Sequence, residues 1–512
     1  MNRQHSIKTL WMAAALAAAL ALPAYAETRS AAAAQARTEA HFRSVRAQPP
    51  QLWAFLKDMP KGGDLHSHLS GAVYAESMIG WAAEDGLCVD QKTLVVLKPP
   101  CDAALGQVAA KDAQADAVLF RRMVDAWSMR NPVTSGLSGH DQFFDTFGKF
   151  GAANKGRTGD MLAEVAARAT AGGVSYLELM LTPGGAEVGQ VAKKVGWNDD
   201  FGKMRAAMLD QGLPEALKAA STELSLAEAR QAELLRCTSK QSAPGCAVSV
   251  RYLYQVLRGL PKEIVFAQML AGFELASRDP RVVGLNLVMP EDALVPMRDF
   301  SLHMRLLDYL NGIYPKVQVT LHAGELVPGL VPPEGLRFHI RQSIELGHAK
   351  RIGHGVAVMQ EDDAVGLLKK MARDKTLVEI CLTSNTGILG VSGAQHPLAT
   401  YLKYGVPLAL ATDDEGVSRS EMTHEYVKAV QEQKLSYRQL KGMARNSLQY
   451  AFVEGQPLWQ DQDRRRPVAA CASQRLGAKD ANTPCREYLQ SNPKARLQWE
   501  LEGAFDGFER RF

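Results

Sequence analysis

The stretch Val319-Thr320-Leu321-His322-Ala323-Gly324-Glu325 decides the fold. A β-branched, apolar run stops at a histidine, a small-residue turn and a carboxylate. That pattern predicts a buried strand with His322 and Glu325 at its C-terminal mouth. Alone it proves little, because a strand-end histidine is more often a hydrogen-bonded structural residue. Three other strand-like runs, 64–68, 351–355 and 408–414, end in similar chemistry. Four polar strand ends with helix-length sequence between them require a fold that gathers strand ends at one mouth. The parallel (β/α)₈ barrel does so.

Outward from that stretch, the chain divides as follows. Residues 27–58 read as an N-terminal helical extension, rich in Ala and Arg and broken at Pro49-Pro50. Residues 59–453 hold eight strand-and-helix units, the size of a barrel with insertions. The strands are placed at the start of this segment, at Val174-Ser-Tyr-Leu-Glu-Leu-Met-Leu-Thr-Pro183, at 248–256, at Val282-Val-Gly-Leu-Asn-Leu-Val-Met-Pro290, at the opening stretch, at 351–355, at 377–382 and at 406–414. Insertions at 86–140 and 184–247 follow strands one and two, and the first should lie over the mouth where substrate enters. Phe143, Phe144, Phe147 and Phe150 recur at helical spacing. They read first as core packing, and second as an aromatic shelf for a purine or ribose. Residues 454–512 form a helical appendage, and Arg464-Arg-Arg466 within it reads as a solvated turn.

Residues 1–26 fit a secretory signal: Arg3 and Lys8, a short apolar run at 10–22, and Ala24-Tyr25-Ala26 as a small-x-small cleavage site. Later in the chain no run approaches 18 uncharged apolar residues, so no membrane association is expected after cleavage. The formal charge of +4 gives no reason to expect nucleic-acid binding. With 46% hydrophobic and 22% charged residues, the composition is that of a globular, enzyme-like protein with a sizeable core. Export, to the periplasm or the medium, makes the seven cysteines interpretable. Cys88 with Cys101, Cys237 with Cys246 and Cys471 with Cys485 bracket short loops and suggest three local disulfides, although spacing does not fix the pairing. Cys381, inside an apolar run, is expected to be a buried free thiol.

The chemistry follows from where the polar residues fall. His66 and His68 are two apart, so on a strand they share one face. A lone His-x-His is weak evidence; joined by His322 and Asp413 at other strand ends, it makes a set that suits zinc. Such an ion lowers the pKa of its water toward neutrality. His354 could orient or deprotonate that water, Glu325 could donate a proton to the substrate, and Asp414 could accept a hydrogen bond from it.

Met59-Pro-Lys-x-x-x-Leu-His-x-His-Leu69, His322-Ala-Gly-Glu325, Arg351-Ile-Gly-His-Gly355, Thr412-Asp-Asp414 and Arg445-Asn-Ser-Leu-Gln-Tyr-Ala-Phe452 occur in order. Together they resemble the adenosine deaminases of the metal-dependent hydrolase superfamily, and the signal, cysteines and insertions resemble its secreted, growth-factor-related branch. The resemblance implies the same barrel, one Zn²⁺ per subunit, and hydrolytic loss of ammonia from C6 of adenosine, and by extension 2′-deoxyadenosine, to give inosine. It implies His66, His68, His322 and Asp413 as metal ligands. Glu325 would protonate purine N1, His354 would position the attacking water and Asp414 would bond N7. The reacting set is then Glu325, His354 and Asp413, and the substrate-facing set Asp414, His68, Met289 and Ser70. Two positions depart from the pattern. Ser70 stands where the family usually has an aspartate contacting the ribose 5′ oxygen, and Met289 where it usually has a glycine whose N–H faces N3. Both bear on sugar recognition more than on deamination. The alternatives are a deaminase of another aminopurine, a two-metal amidase on the same barrel, and a secreted nucleoside-binding or signalling protein without activity.

Overall fold

The computed structural model describes residues 32–461 and 466–512. The expected signal segment, and Arg464 and Arg465 of the arginine run, lie outside the described residues.

Eight parallel strands form the centre: β1 (Gly62–His68), β2 (Val174–Leu181), β3 (Ser249–Leu257), β4 (Val282–Val288), β5 (Gln318–Ala323), β6 (Arg351–His354), β7 (Leu377–Ile380) and β8 (Leu408–Leu410). Each pairs with its neighbours in chain order, as right-handed strand–helix–strand connections dictate. The last gap is bridged between Ser67 and Asp413. There His68 N–H donates to Asp413 O at 3.1 Å and Asp413 N–H donates to His66 O at 2.8 Å. The barrel therefore closes directly beneath the residues of greatest chemical interest. Every residue of β1, β6, β7 and β8 is buried, as expected of strands covered on both faces.

Between β1 and β2 the chain forms helices and a small antiparallel sheet of three strands, Cys88–Asp90, Val96–Leu97 and Gln107–Ala109. It then enters the helix Gly139–Phe150, which is capped by Ser138 Oγ on Asp141 N–H. Within this β1–β2 connection run two helices, Ala110–Ala115 and Ala117–Ala126, separated at Asp116, whose carboxylate caps the second one. Pro49 and Pro50 open the helix Pro49–Asp58, where their missing N–H groups cost nothing. The strand expected at 377–382 stops at Ile380, and Leu382–Leu389 is a helix with Thr383, Ser384 and Asn385 in its first turn.

The terminal segments meet on the outside of the barrel. Phe55 packs edge-on against Phe508 at 5.1 Å between ring centroids. Lys441 pairs with Glu509 at 2.6 Å, and Arg445 with Glu502 at 2.5 Å. A separate small core, including Leu458, Trp459, Leu489 and Trp499, surrounds the Cys471–Cys485 bridge. The bridges Cys88–Cys101 and Cys237–Cys246 also form, and Cys381 is a buried free thiol. Among the described residues, no helix is long and apolar enough to cross a membrane.

Candidate active site

At the C-terminal mouth of the barrel, three imidazoles and one carboxylate converge. His66 Nε2 lies 3.0 Å from His322 Nε2, and His68 Nε2 lies 3.2 Å from it. Asp413 Oδ1 is 3.4 Å from His66 Nε2 and 3.2 Å from His68 Nε2. Donors about 2.0–2.1 Å from a common centre in a tetrahedron stand about 3.3 Å apart, which is the spacing seen here. The donor set, three neutral-capable nitrogens and one carboxylate oxygen, therefore fits a zinc-like cation.

Each imidazole has its other nitrogen tied down. His66 Nδ1 meets Glu379 Oε2 at 2.7 Å, His68 Nδ1 meets Gln255 Oε1 at 2.9 Å, and His322 Nδ1 meets Asn286 Oδ1 at 3.0 Å. These acceptors fix Nδ1 as the protonated atom and leave Nε2 lone pairs aimed at the common centre. Ser384 Oγ donates to Asp413 Oδ2 at 2.7 Å, which leaves Oδ1 facing inward. Beneath Glu379 lies a buried brace: Arg351 bonds Glu379 Oε1 at 2.5 Å and Glu178 Oε2 at 2.6 Å.

The electrostatics agree with this division of labour. Burial raises the cost of charge on Glu379, yet Arg351 and His66 hold its carboxylate down at about 2. Burial also opposes protonation of His66, but Asp413 and Glu379 outweigh it and raise the imidazole to about 10. The same negative surroundings favour any cation placed between the rings. Burial, then the charges of the other histidines, depresses His322 well below the ordinary range.

Around the cluster, three further buried atoms lack a hydrogen-bond partner, Glu325 Oε1, His354 Nε2 and Asp414 Oδ1, as does Asp413 Oδ1 within it. Orphaned buried polar atoms are costly, and their gathering at one point marks a place for reactants. Burial, then the charges of Asp413 and Glu291, pushes the Glu325 carboxyl well above the ordinary range. Burial, then Asp413, does the same to Asp414. Gly71 makes room for Asp414, since a Cβ there would fall 1.6 Å from its Oδ1.

A relay sets the tautomer of His354. Leu398 N–H donates to His396 Nδ1 at 3.1 Å, His396 Nε2–H donates to Asn385 Oδ1 at 3.1 Å, and Asn385 Nδ2–H donates to His354 Nδ1 at 3.0 Å. His354 Nε2 therefore carries the proton and enters the site as a donor. Burial lowers this imidazole to about 3, so it is neutral. Of the two roles expected of His354, orienting a water suits this tautomer, and deprotonating one does not. Both His354 and Asp413 hold positive φ, 66° and 59°, a strained backbone that aims their side chains inward.

The cluster floors a cavity of about 450 Å³, inside the range of roughly 300–1,000 Å³ usual for small-molecule sites. Its walls include Ser70, Phe143, Phe144, Phe147, Gln255, Leu257, Leu260, Val288, Met289, Pro290 and Ile388. All nine residues expected at the site thus meet: seven line the cavity, His66 lies behind them 3.0 Å from His322, and His354 stands 3.5 Å from Glu325. The aromatic run divides its labour, with Phe150 buried in the core and Phe143, Phe144 and Phe147 also forming cavity wall. Met289 holds φ 84° and is 37% exposed at the rim.

Sequence reasoning did not find Gln255, Asn286, Glu379, Ser384 or Asn385. Asn286 and Glu379 share a signal: each is the lone polar residue inside an apolar barrel strand, where only a specific partner makes burial tolerable. Glu291 was also missed. It accepts Gly324 N–H at 3.1 Å and Glu325 N–H at 2.8 Å, and takes a 2.5 Å hydrogen bond from His339. That fixes the turn carrying Glu325.

Residues 158–457 match the family model described as adenosine deaminase. An adenosine deaminase of Yersinia pseudotuberculosis serotype O:1b (strain IP 31758) is 36% identical over 154 residues, which cover 30% of this chain and 43% of that protein. The matched stretch thus spans less than half of that relative's length. An adenosine deaminase of Erwinia tasmaniensis is 28% identical over 394 residues, covering 76% of this chain and 93% of that one. The apo structure of the N6-methyl-AMP deaminase from Arabidopsis thaliana superposes with a TM-score of 0.50 at 22% identity, over 78% of this chain and 94% of that chain, a likeness of fold. With a family match across more than half of its length, on a barrel whose mouth gathers the motif residues, this chain belongs to the adenosine deaminase family of metal-dependent hydrolases.

Proposed function

We propose that the protein is a zinc-dependent hydrolytic deaminase that converts adenosine and 2′-deoxyadenosine to the inosine nucleosides and ammonia outside the cytoplasm. The observation that carries this reading is the convergence of three Nε2 atoms and Asp413 Oδ1 at 3.0–3.4 Å, beside the orphaned Glu325, His354 and Asp414 atoms.

Zinc held by His66, His68, His322 and Asp413 would supply Lewis acidity, bringing the pKa of a coordinated water toward neutrality. His354 donates its Nε2–H to the oxygen of the attacking water and holds it against one face of the ring. Ionised Asp413 can receive the proton that water must lose. Glu325, kept as a neutral acid by burial, donates to ring N1 as C6 becomes tetrahedral. Asp414, whose carboxyl is also pushed toward the neutral form, donates to the N7 lone pair, the reverse of the accepting role first expected of it, and sets the orientation of the purine. Three disulfides support a life outside the reducing cytoplasm, in the periplasm or the medium.

The test is ammonia release from adenosine and 2′-deoxyadenosine, with inosine formation followed optically, by the purified zinc-supplied protein. Turnover that disappears in Glu325→Gln supports the reading. Tight adenosine binding without turnover would instead favour a binding protein on this fold.

A further inference from the structure

The cavity has two walls of opposite character. We propose that its preferred substrates are 6-aminopurine nucleosides whose 5′ carbon carries an uncharged, apolar group, a thioether or a simple alkyl, in place of the hydroxyl. This rests on the deaminase reading given above.

The inner wall, His322, Glu325, Asp413 and Asp414, is buried and polar. A purine reacting at C6 must face it with C6, N1 and N7. N9 lies at the other end of the bicycle, so the sugar must leave toward the outer wall. That wall is built from Phe144, Phe147, Leu257, Leu260, Met289 and Pro290, all partly exposed at the cavity rim. Among the described residues no Lys or Arg lines the cavity, and three carboxyl residues do; Arg258 lies buried behind the wall, where its guanidinium donates to the Met289 and His322 carbonyl oxygens. A 5′-phosphate would enter this lining without a counter-charge, at high desolvation cost. Ser70 is the sole hydroxyl in the lining, and the Gln255 carbonyl oxygen already meets His68. A 5′-hydroxyl would therefore find at most the Ser70 hydroxyl on an otherwise apolar wall, while an alkyl or thioether group would gain from burial against the rest of it.

Met289 strengthens the case. Its backbone sits at φ 84°, a conformation that glycine adopts freely and a side chain does not. Its sulfur lies 3.3 Å from Gly259 N, which seats the thioether on the rim. A strained position that nevertheless bears a large, adaptable, apolar side chain at the mouth points to a contact made there with substrate. The reaction itself is unchanged. Water adds to C6, the C6–amino bond breaks, ammonia leaves, and the 6-oxopurine nucleoside departs with its 5′ group intact.

The experiment is steady-state ammonia release by zinc-supplied full-length protein on 5′-deoxy-5′-methylthioadenosine, 5′-deoxyadenosine, adenosine, AMP and adenine. The expected kcat/KM is about tenfold or more higher for the two 5′-apolar nucleosides than for adenosine, the scale set by an added apolar group in a fitted pocket. Met289→Gly, which the backbone accepts, should lower kcat/KM for the two 5′-apolar nucleosides several-fold more than for adenosine; an equal fall for all of them would remove Met289 from the preference. A kcat/KM for adenosine or AMP equal to or above that of the 5′-apolar nucleosides would overturn the proposal and leave the deaminase reading standing. No ammonia from any nucleoside would overturn both.

Discussion

At the scale of single residues, the site depends on tethers as much as on the groups that touch reactants. Glu325 is the sharpest case. If it is the proton donor, Glu325→Gln keeps zinc but lowers kcat by roughly 10²–10⁴. Metal analysis alongside ammonia release checks both halves of that statement, and near-full activity would remove Glu325 from the mechanism. Asn385 acts at one remove, by holding His354 in the Nε2–H tautomer. Asn385→Leu should lower kcat about 10–100-fold, the usual scale for loss of an orienting partner, with KM little changed. A shift in KM alone would mean that Asn385 serves packing. The groups gathered at the mouth were legible in the sequence because their types and strand-end positions are distinctive. The tethers were not, because Asn286, Gln255 and Glu379 sit mid-strand and their partners come from other strands. A lone polar residue in an apolar strand announces that a partner exists, without saying which.

At the scale of elements, the helix Gly139–Phe150 forms one side of the cavity. His140 on its first turn meets Asp292, just past the end of β4, at 3.0 Å, and its ring packs on Phe144 at 4.9 Å. This clip fixes the aromatic wall over the mouth. The Asp292 hydrogen bond, aided by Asp141, holds the His140 imidazole above its ordinary range. The pair is partly exposed, so a contribution of about 0–1 kcal/mol is expected. His140→Ala should raise KM by no more than about fivefold and leave kcat nearly unchanged, as substrate titrations would show. A large fall in kcat would place His140 nearer the chemistry than the structure does. Strand and helix types were readable from periodicity, and the barrel from the spacing of polar strand ends. The helix turn at Thr383-Ser384-Asn385 escaped, since short polar side chains compete with helical backbone until tertiary contacts bring Asp413 and His354 to them.

At the scale of the molecule, the barrel floor and the appended C-terminal segment contribute stability in different ways. Glu379 is ionised in the folded protein down to about pH 2, against an ordinary value of 4.5. Its folded-state value is depressed, so its contribution is complete above about pH 4.5 and is lost as pH falls toward 2. Glu379→Gln should therefore show less loss of stability between pH 5 and pH 3 than the parent, by denaturant unfolding at each pH. Equal acid sensitivity would contradict the Arg351–Glu379–His66 brace as described. Opening the Cys471–Cys485 bridge by Cys471→Ser with Cys485→Ser should cost about 2–4 kcal/mol, since it staples a small core around Trp459 and Trp499. Cysteine spacing made the three bridges legible. The packing of the N-terminal helix against Phe508 and Glu509 was not, because contacts between chain ends leave no periodic trace.

The central claim is that His66, His68, His322 and Asp413 hold one metal ion on which ammonia release depends. The most direct measurement is zinc content per chain and adenosine turnover, before and after chelation and after zinc is restored, for the parent and His322→Ala. The expected result is one zinc per parent chain, turnover lost on chelation and recovered with zinc, and neither zinc nor turnover in His322→Ala. Undiminished turnover in metal-free protein, or one tightly held zinc per chain in His322→Ala, would contradict the claim.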